Sequence, residues 1–408
     1  MRLIILNDHG FVNGGAAKIA IASLNALADA GFDVTFVSSV GPVDPYINRD
    51  RVKVINFGFN DLLNNSFTVD AAFNAIWNQR CAVRFREILN EFDPADTIIH
   101  LHTWARSLSS SVVWEATRRH FKVVCTLHDY SVVCPNGGLY NYQQQKPCNL
   151  TPMSFACLST NCDSRSYVQK LWRITRQVVQ HKYGHIPDNI RYFIIYSDYS
   201  ESLLKPLLPR NAKCFRVNNP IDIEKTSPSD LSNNSTFTFI GRLSHEKGVA
   251  LFAEAARLAN VQAVFVGSGS EEQNITRINP SAVFYGWQDR LGTIRAIRSS
   301  RAIVFPSLWH ETYGLVVTEA AALGLPAIVA DACAARDGII DGKTGLLFRS
   351  GDVEDLAEKL RLLNSNLQFA ESLGKAAYER YWAAPCTLDK HVMELVNCYA
   401  KCGDDHQW

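Results

Sequence analysis

Two glutamates eight positions apart, Glu311 and Glu319, have the spacing in this chain that best suits chemistry on a ligand. An apolar run at 302–305 comes before them, and a helix-like segment at 315–323 contains the second glutamate and ends at a glycine and a proline. The pattern predicts strand, loop and helix, with Glu311 at the helix N-terminus. Exposure to solvent is the common fate of a glutamate. In the predicted arrangement, however, two carboxylates that can accept from sugar hydroxyls lie beside a helix N-terminus that attracts phosphate. A ligand that contains both a diphosphate and sugars suits this arrangement.

A basic loop from Gly241 to Gly248 carries groups that suit the same ligand. The loop follows a strand-like run, opens a helix-like one, and contains Arg242 and Lys247. A guanidinium and an ammonium on one loop can neutralise a diphosphate and stabilise it as a leaving group. A solvated basic loop is the alternative, and the position directly after a strand favours the binding function.

Glycines mark two more loops at the ends of predicted strands. Gly14 and Gly15 close the first strand–helix loop, where missing side chains let backbone N–H groups approach a phosphate or a sugar. Gly267 and Gly269 form a second turn after the run 263–266. The first loop lacks the dinucleotide-binding and nucleoside-triphosphate-binding patterns, and paired glycines often serve only a turn.

Three histidines stand at predicted strand ends. His100 and His102 alternate onto one face of a strand, and His128 directly follows the run 122–127. A lone histidine is more often structural than catalytic. We favour His128 as the residue that reaches the ligand site, and expect that one of the other two also lines the site while the other only packs.

The segment around the two glutamates closely resembles the donor-binding motif of family 4 retaining glycosyltransferases. That motif has two glutamates separated by seven residues, with an aromatic residue and a glycine soon after the first. Tyr313 and Gly314 fill those places here, followed by Leu315. The loop 241–248 matches the diphosphate clamp of the family, which also has a histidine at the position of His128.

The resemblance implies the two-lobed GT-B fold and transfer of a hexose from a UDP- or GDP-sugar to a glycan hydroxyl, with retained configuration. Glu311 and His128 would contact the donor sugar, Glu319 would bind the ribose, and the leaving phosphate would accept the acceptor's proton. These are positioning roles, unlike the acid and nucleophile of a glycosidase. No metal or cofactor is required for catalysis, because Arg242, Lys247 and a helix dipole can neutralise the diphosphate.

Alternating strand-like and helix-like segments in both halves of the chain predict an α/β protein with two Rossmann-like parallel-sheet domains facing across a cleft. Residues 1–220 are the predicted acceptor-side domain, with a cysteine-rich insertion at 130–165. Residues 221–386 are the predicted nucleotide-sugar domain, and 387–408 form a helix that returns to the first domain, as in the GT-B fold. Open α/β sheets bind ligands at the carboxyl ends of their strands, so we expect the site in the cleft.

Four cysteines in the insertion suggest a structural metal site. Cys134, Cys148, Cys157 and Cys162 lie within thirty residues, and in a cytosolic chain such a group fits zinc better than disulfides. Their spacing contains no C-x-x-C pair, so scattered reduced thiols are the alternative. Transferases that resemble this one carry similar clusters.

The segment 165–182 predicts a basic amphipathic helix that follows the insertion. A surface helix packed on its own domain is one interpretation. The other is docking on an anionic membrane, which would suit a lipid-linked glycan acceptor.

Composition agrees with a large globular enzyme and excludes several classes. The 408 residues are 47% hydrophobic and 20% charged, and the net charge of +1 gives no overall attraction to nucleic acid or membrane. The sequence shows no signal-peptide pattern and no membrane-spanning run, so we expect a cytoplasmic protein, peripheral on the membrane if it docks there. We expect a role in surface polysaccharide or lipopolysaccharide assembly. The alternatives are a soluble transferase making a small glycoside or storage glucan, and a non-catalytic protein that binds sugar nucleotides.

Overall fold

The computed structural model describes residues 1–59 and 69–403, which form two α/β lobes. The first lobe is built on a parallel sheet with strand order β3-β2-β1-β4-β5-β8-β9, beside a small β6-β7 hairpin. Its elements in chain order are β1 (Arg2–His9), α1 (Gly15–Asp29), β2 (Asp33–Val40), β3 (Val52–Phe59), α2 (Val69–Ile76), α3 (Gln79–Leu89), β4 (Thr97–Leu101), α4 (Ser110–Thr117), β5 (Lys122–Thr126), β6 (Tyr140–Asn141), β7 (Lys146–Pro147), α5 (Phe155–Ser159), α6 (Tyr167–Lys182), β8 (Tyr192–Ile195), α7 (Asp198–Leu204) and β9 (Lys213–Arg216).

The second lobe is a parallel sheet with strand order β12-β11-β10-β13-β14-β15. Its elements, followed by the last helix of the described chain, are β10 (Thr236–Ile240), α8 (Val249–Ala259), β11 (Gln262–Val266), α9 (Glu272–Ile278), β12 (Val283–Gly286), α10 (Arg290–Arg298), β13 (Ser300–Phe305), α11 (Leu315–Ala322), β14 (Ala327–Ala330), β15 (Leu346–Phe348), α12 (Val353–Ser365), α13 (Leu367–Ala383) and α14 (Leu388–Gly403). The predicted pair of Rossmann-like parallel sheets is therefore confirmed.

The central strands are apolar on both faces because helices cover both sides of each sheet. In β1, the residues Leu3 to Leu6 are fully buried, and they alternate between two separate cores on opposite faces of the sheet. In the second lobe, β13 is buried along its whole length. Rigid central strands of this kind hold the loops at their carboxyl ends in fixed positions.

Helix α14 packs on the first lobe although it follows the second in the chain. Leu395 and Tyr399 lie in the core beneath β1, and His391 bridges Ser23 of α1 (Nε2 to Oγ, 2.7 Å) and the backbone oxygen of Asn218 (2.7 Å from Nδ1). This helix therefore ties the end of the chain to the first lobe.

Polar contacts join the lobes beside the cleft. The Thr312 hydroxyl donates to the backbone oxygen of His128 (3.0 Å), and the Tyr199 hydroxyl lies 2.6 Å from Nδ1 of His310 and donates to the backbone oxygen of Ala332 (2.8 Å). These contacts fix the two sheet edges relative to one another. Within the described residues, no helix has both the length and the apolar character to cross a membrane.

Candidate active site

The two predicted halves of the donor site in the second lobe meet at an ion pair between Lys247 and Glu311. Gly248 makes the approach possible, because it has a φ of +70° and an added Cβ would lie 1.9 Å from the Pro306 backbone oxygen. The Leu308 N–H then donates to the Glu246 backbone oxygen (2.9 Å), which joins the loops. The residues 241–248 and 306–314 are called the clamp loops below.

Arg242 has its own carboxylate partner on the same loop. Its guanidinium lies 2.8 Å from Glu246 Oε1, and 68% of its side chain is exposed. A diphosphate that binds between Arg242 and Lys247 therefore competes with two carboxylates, Glu246 and Glu311. Both cations are fixed before any ligand contact, which lowers the entropic cost of binding.

The glycine turn after β11 packs against the first clamp loop. An added Cβ at Gly267 would lie 2.0 Å from the Gly241 backbone oxygen, and one at Gly269 would lie 2.1 Å from that of Leu243. The N–H of Leu243 donates to the backbone oxygen of Ser268 (3.0 Å). These contacts explain Gly267 and Gly269 by loop packing alone, whether or not a nucleotide also lies there.

Glu319 lies half-buried on α11, facing charges from both lobes. Burial raises the pKa of this carboxyl above its usual value, and the nearby cations Lys18 of α1 and Arg290 oppose that rise. The pKa of Glu319 therefore reflects its burial first, and then one cation from each lobe.

Three predicted site residues between the glutamates, Tyr313, Gly314 and Leu315, serve mainly to position α11. Tyr313 packs on the first lobe with its ring 5.8 Å from that of Tyr196, and Leu315 packs in a small apolar cluster below the helix. Gly314 has a φ of +114°, and an added Cβ would lie 2.6 Å from that of Ala335. Close packing therefore accounts for the glycine.

A cavity of about 670 Å³ lies in the cleft between the lobes. Among the predicted site residues, Gly14, Gly15, His128 and Arg242 line it, whereas Lys247, Glu311 and Glu319 do not. An added Cβ at Gly14 or Gly15 would meet no atom within 4 Å, so these glycines face open space at the start of α1. Backbone N–H groups at a helix start suit an anionic ligand.

His128 is bound by protein atoms on both ring nitrogens. Its Nε2 lies 2.9 Å from Nδ1 of His102, and its Nδ1 lies 3.2 Å from the Tyr196 hydroxyl. His102 also lines the cavity, and among the described residues its buried Nε2 has no hydrogen-bond partner. The prediction that favoured His128 over His102 missed this arrangement, because only the fold pairs the two rings.

The histidines at this sheet edge are neutral. Burial, with a smaller contribution from neighbouring histidines, lowers the pKa of His128 and of His100 to about 3 and that of His102 well below its usual value. His100 lies behind the pair, between the hydroxyls of Thr126 (2.6 Å) and Tyr399 of α14 (2.7 Å). A neutral ring can exchange hydrogen bonds with a sugar hydroxyl without adding charge.

Comparison with known families matches residues 222–380 to the group 1 glycosyl transferases. These residues comprise most of the second lobe, including both clamp loops, Glu311 and Glu319. The C-terminal lobe is a group 1 glycosyl transferase domain.

Curated relatives extend the likeness unevenly along the chain. A GDP-mannose-dependent alpha-mannosyltransferase of Mycobacterium tuberculosis is 30% identical over 198 residues, which cover 46% of this chain and 51% of that protein. An uncharacterized 42.6 kDa protein of the cps region of Klebsiella pneumoniae is 24% identical over 393 residues, 91% of each chain. The match spans only 28% to 51% of the length of the first curated relatives.

A solved structure covers the whole fold. The Anabaena protein Alr3699/HepE, crystallised in complex with UDP, superposes with a TM-score of 0.69 and 18% identity over 98% of this chain and 100% of that one. The predicted GT-B fold is thus confirmed.

The cysteine cluster lies in the N-terminal lobe, opposite the glycosyl transferase domain, and surrounds a lysine. The buried ammonium of Lys170 on α6 lies 3.1 Å from Sγ of Cys162 and 3.7 Å from Sγ of Cys157. An ammonium has no lone pair for a metal, and within residues 1–59 and 69–403 no group of three or more metal-ligating side chains is arranged to hold one. Cys134, Cys148, Cys157 and Cys162, as placed, do not fit the structural zinc that their sequence allowed.

Helix α6 is the amphipathic helix that the sequence predicts, but most of its basic residues do not face solvent. Lys170 and Arg176 are buried, and Arg173 forms an ion pair with the buried Asp163 (2.6 Å). The exposed face instead carries Val168 and Leu171. The helix therefore packs on its own lobe, the first of the two interpretations, with Lys170, Arg173 and Arg176 turned inward and Lys182 exposed. Docking on an anionic membrane stays a prediction.

Proposed function

We propose that this protein transfers a hexose from a nucleoside diphosphate sugar to a hydroxyl of a glycan acceptor, with retained configuration, in the assembly of a surface polysaccharide or lipopolysaccharide. The observation that carries the proposal is the Lys247–Glu311 pair in a group 1 glycosyl transferase domain. On the same loop, Arg242 shares a cavity with Gly14 and Gly15 of the other lobe. Cations and helix-start N–H groups can thus hold one diphosphate from two sides.

In this mechanism the incoming diphosphate takes over the contacts that Glu311 and Glu246 make with the two cations. Arg242 and Lys247 then stabilise the charge that develops on the leaving diphosphate. Glu311, freed from part of its ion pair, accepts hydrogen bonds from the donor sugar. The acceptor hydroxyl attacks the anomeric carbon from the face that the diphosphate leaves, as the bond between that carbon and the diphosphate breaks. An oxygen of the leaving phosphate takes the proton of the acceptor hydroxyl.

The ion pair also argues for Glu311 as a positioning group. A carboxylate bound to a half-buried ammonium is a weak nucleophile, because its negative charge is already stabilised. Glu319, which lies on α11 behind the clamp loops, is assigned to the ribose hydroxyls. Neutral His102 and His128 hold hydroxyls of the transferred sugar or of the acceptor.

The comparisons support the substrate classes within this proposal. One relative is a GDP-mannose-dependent mannosyltransferase, the structural neighbour was crystallised with UDP, and the relative matched over 91% of both chains is a cps-region protein. A nucleoside diphosphate donor and a polysaccharide product agree with all three.

We further propose that the acceptor is lipid-linked and reaches the cleft along an apolar surface of the insertion. Phe155 is 86% exposed, and Val168 and Leu171 on α6 are 74% and 46% exposed. The Tyr167 hydroxyl donates to the Leu158 backbone oxygen (2.9 Å), which holds the two helices together. Exposed apolar side chains beside a cavity suit contact with acyl chains.

The decisive experiment measures release of free nucleoside diphosphate and formation of glycoside with a panel of UDP- and GDP-sugars. Wild type is compared with Glu311→Ala and with Glu379→Ala, an exposed glutamate of α13. We expect Glu311→Ala to reduce turnover at least about 100-fold and Glu379→Ala to leave it unchanged. NMR of the product reports the anomeric configuration.

Other outcomes identify the alternatives. Unchanged turnover in Glu311→Ala would refute the assigned site, and an inverted product would refute retention. Nucleotide binding without turnover for any donor and acceptor would favour a non-catalytic binding protein.

Vesicle sedimentation tests the lipid-facing surface. We expect phosphatidylglycerol vesicles to sediment the wild type and Tyr46→Ser, which alters an exposed aromatic residue elsewhere, but much less of Phe155→Ser. Equal sedimentation of both variants, or none of the wild type, would remove this surface from the proposal.

A further inference from the structure

The cavity between the lobes is lined by more arginines than a diphosphate requires. Arg242 comes from the clamp loop, and four more come from the N-terminal lobe: Arg106, Arg165, Arg173 and Arg176. We call these four residues the arginine wall. They belong to the loop after β4, to the end of the insertion and to α6.

Arg176 is the least expected of the four, because it is buried without an acidic partner. Only 8% of it is exposed, and its two terminal nitrogens donate to the backbone oxygens of Ala105 and Pro135 (both 3.0 Å). Its Nε has no hydrogen-bond partner, and no carboxylate within the described part of the chain forms an ion pair with it. Burial lowers the pKa of Arg176, and the more distant carboxylates of Asp129 and Asp8 only oppose that fall. A buried cation of this kind is costly unless an anion compensates it.

The other arginines leave the wall positively charged. Arg173 is paired with Asp163 at 2.6 Å, which neutralises one charge. Arg106 and Arg165 are exposed, and neither forms an ion pair within residues 1–59 and 69–403. Three charges of the wall, those of Arg106, Arg165 and Arg176, therefore have no carboxylate partner there.

The acids that line the cavity are largely engaged with other groups. Asp8 accepts hydrogen bonds from the backbone N–H groups of Arg106 (3.1 Å), Ser107 (3.0 Å) and Leu108 (2.9 Å), and so fixes the loop that carries Arg106. Glu246 is paired with Arg242. Asp129 accepts from the Ser131 N–H (2.8 Å) and remains exposed.

Indole rings line the same cavity beside the charges. Trp172 donates to the Ala72 backbone oxygen (3.2 Å), and the Arg176 guanidinium lies 5.5 Å from the centre of its ring. Trp309 of the C-terminal lobe faces the cavity from the other side. Flat apolar rings can pack on the C–H faces of a sugar, while nearby arginines bind an anionic substituent.

We infer that the acceptor glycan is anionic, and that the arginine wall binds its carboxylate or phosphate group. This inference rests on the proposed function and adds the charge of the acceptor. The diphosphate of the donor already has Arg242, Lys247 and the start of α1. Arginine is suited to the task because its planar fork binds either oxyanion through two parallel hydrogen bonds.

Octyl β-D-glucoside, octyl β-D-glucuronide and octyl β-D-glucoside 6-phosphate test the inference, because they differ only at the sixth carbon. Calorimetry measures their binding to the whole protein without any donor. We expect the two anionic compounds, or one of them, to bind at least about tenfold more tightly than the neutral one. Added salt should shrink the difference, since exposed charges contribute to it.

Two variants test whether the arginine wall causes the preference for the anionic compounds. Arg106→Ala and Arg165→Ala alter exposed side chains, so folding should be retained, and each should reduce the preference several-fold without changing the affinity for UDP or GDP. Arg51→Ala, at the opposite end of the sheet, is the matched control and should bind like the wild type.

Each result has a definite meaning. Tighter binding of the glucuronide alone assigns a carboxylate, and of the phosphate alone a phosphate. Equal binding of all three, no binding of the anionic compounds at millimolar concentration, or an undiminished preference in both variants overturns the inference. Transfer to neutral acceptors alone would refute the anionic acceptor and keep the transferase, whereas absence of transfer to any acceptor would refute the proposed function itself.

Discussion

The cations on the two walls of the cleft have different neighbours. On the C-terminal wall, Lys247 is paired with Glu311 and Arg242 with Glu246. On the N-terminal wall, Arg176 donates to backbone oxygens, lies over an indole ring and forms no ion pair within the described residues. Burial lowers the pKa of His128, which lines the same cavity. A wall with internal ion pairs binds an anion by exchanging partners. A wall with unpaired arginines binds one by adding a partner.

The comparison predicts different responses to mutation. On the paired wall, removal of a cation also frees its carboxylate, so the site loses an attraction and gains a repulsion for phosphate. On the N-terminal wall, removal of Arg106, Arg165 or Arg176 loses only the attraction, because Arg173 is the wall arginine that has a carboxylate partner within the described residues. Substitution of a cation on the C-terminal wall should therefore weaken donor binding more than substitution of an arginine on the N-terminal wall weakens acceptor binding.

The largest effect is expected for Lys247→Met. The variant leaves the buried Glu311 carboxylate without its partner, next to the place where the diphosphate charge develops. We expect kcat/KM for the donor to fall by about 100- to 1,000-fold. Steady-state kinetics should be measured beside Lys375→Met, which alters an exposed lysine of α13.

The double variant Lys247→Met, Glu311→Gln sharpens this result. If the freed carboxylate contributes to the loss, the amide should restore part of the donor affinity even though the catalytic contact of Glu311 is gone. A double variant with weaker nucleotide binding than Lys247→Met would show that repulsion plays no part.

A smaller effect is expected for Arg176→Met on the N-terminal wall. Transfer to an anionic acceptor should fall about tenfold, with the donor affinity unchanged. Loss of the bonds to Ala105 and Pro135 lowers the free energy of unfolding, whereas removal of a buried unpaired cation raises it, so we expect a net change smaller than about 1–3 kcal/mol. Denaturant unfolding measures that change. A loss of donor affinity equal to the loss of acceptor transfer would contradict the division between the walls.

The paired wall was the more predictable of the two because its motifs are local. Arg242 and Lys247 stand five positions apart on one loop, and Glu311 lies in the loop before α11, so a strand–loop–helix pattern was enough to predict the loops that carry them. The Lys247–Glu311 contact itself depends on Gly248 lying against Pro306, which joins loops that are far apart in the sequence.

The N-terminal wall could not be predicted in the same way. Arg106 follows β4, whereas Arg176 lies on a helix after the insertion, and only the packing of that insertion brings them to one cavity. The sequence of α6 showed its charges but not their direction, and Lys170 and Arg176 proved to face inward.

Three edge strands of the two large sheets, β3, β9 and β15, carry no clear strand pattern in the sequence. β3 interrupts its apolar residues with a lysine, an asparagine and a glycine, and β9 and β15 have only four and three residues. Each lies at a sheet edge, where the neighbouring strand supplies the pairing that the short sequence cannot specify.

The neutral histidines predict a loss of stability in acid. In the unfolded chain each histidine binds a proton below its ordinary pKa of about 6.5, whereas burial holds the pKa of folded His128 and His100 at about 3. The unfolded state therefore binds more protons between these values, and stability falls as the pH falls. The slope should approach about 1.4 kcal/mol per pH unit for each such histidine.

Denaturant unfolding at a series of pH values from neutral to mildly acidic checks this slope. His100→Asn removes one titrating group and should flatten the curve by one histidine's share. A slope unchanged by His100→Asn would show that other groups cause the acid loss. The pH profile of kcat should contain no inflection that depends on His128.

The smallest effect on nucleotide binding is expected for Lys18→Met, because Lys18 acts on Glu319 only from across the cleft. Burial raises the pKa of Glu319, and Lys18 from the N-terminal lobe opposes the rise, so Lys18→Met should raise it further. If ionised Glu319 accepts from the ribose hydroxyls, nucleotide binding weakens as the pH falls through this pKa, and the variant should weaken at a higher pH than the wild type. Lys18 is exposed, so the shift should be less than about one pH unit.

Calorimetric titration of UDP and GDP against pH measures this shift, with Lys53→Met as the control on the same lobe. If Lys18→Met moves the pH at which nucleotide binding weakens to a lower value, or if Lys53→Met moves it equally, Glu319 does not control nucleotide binding. The two lobes would then be coupled only through the anions that they bind.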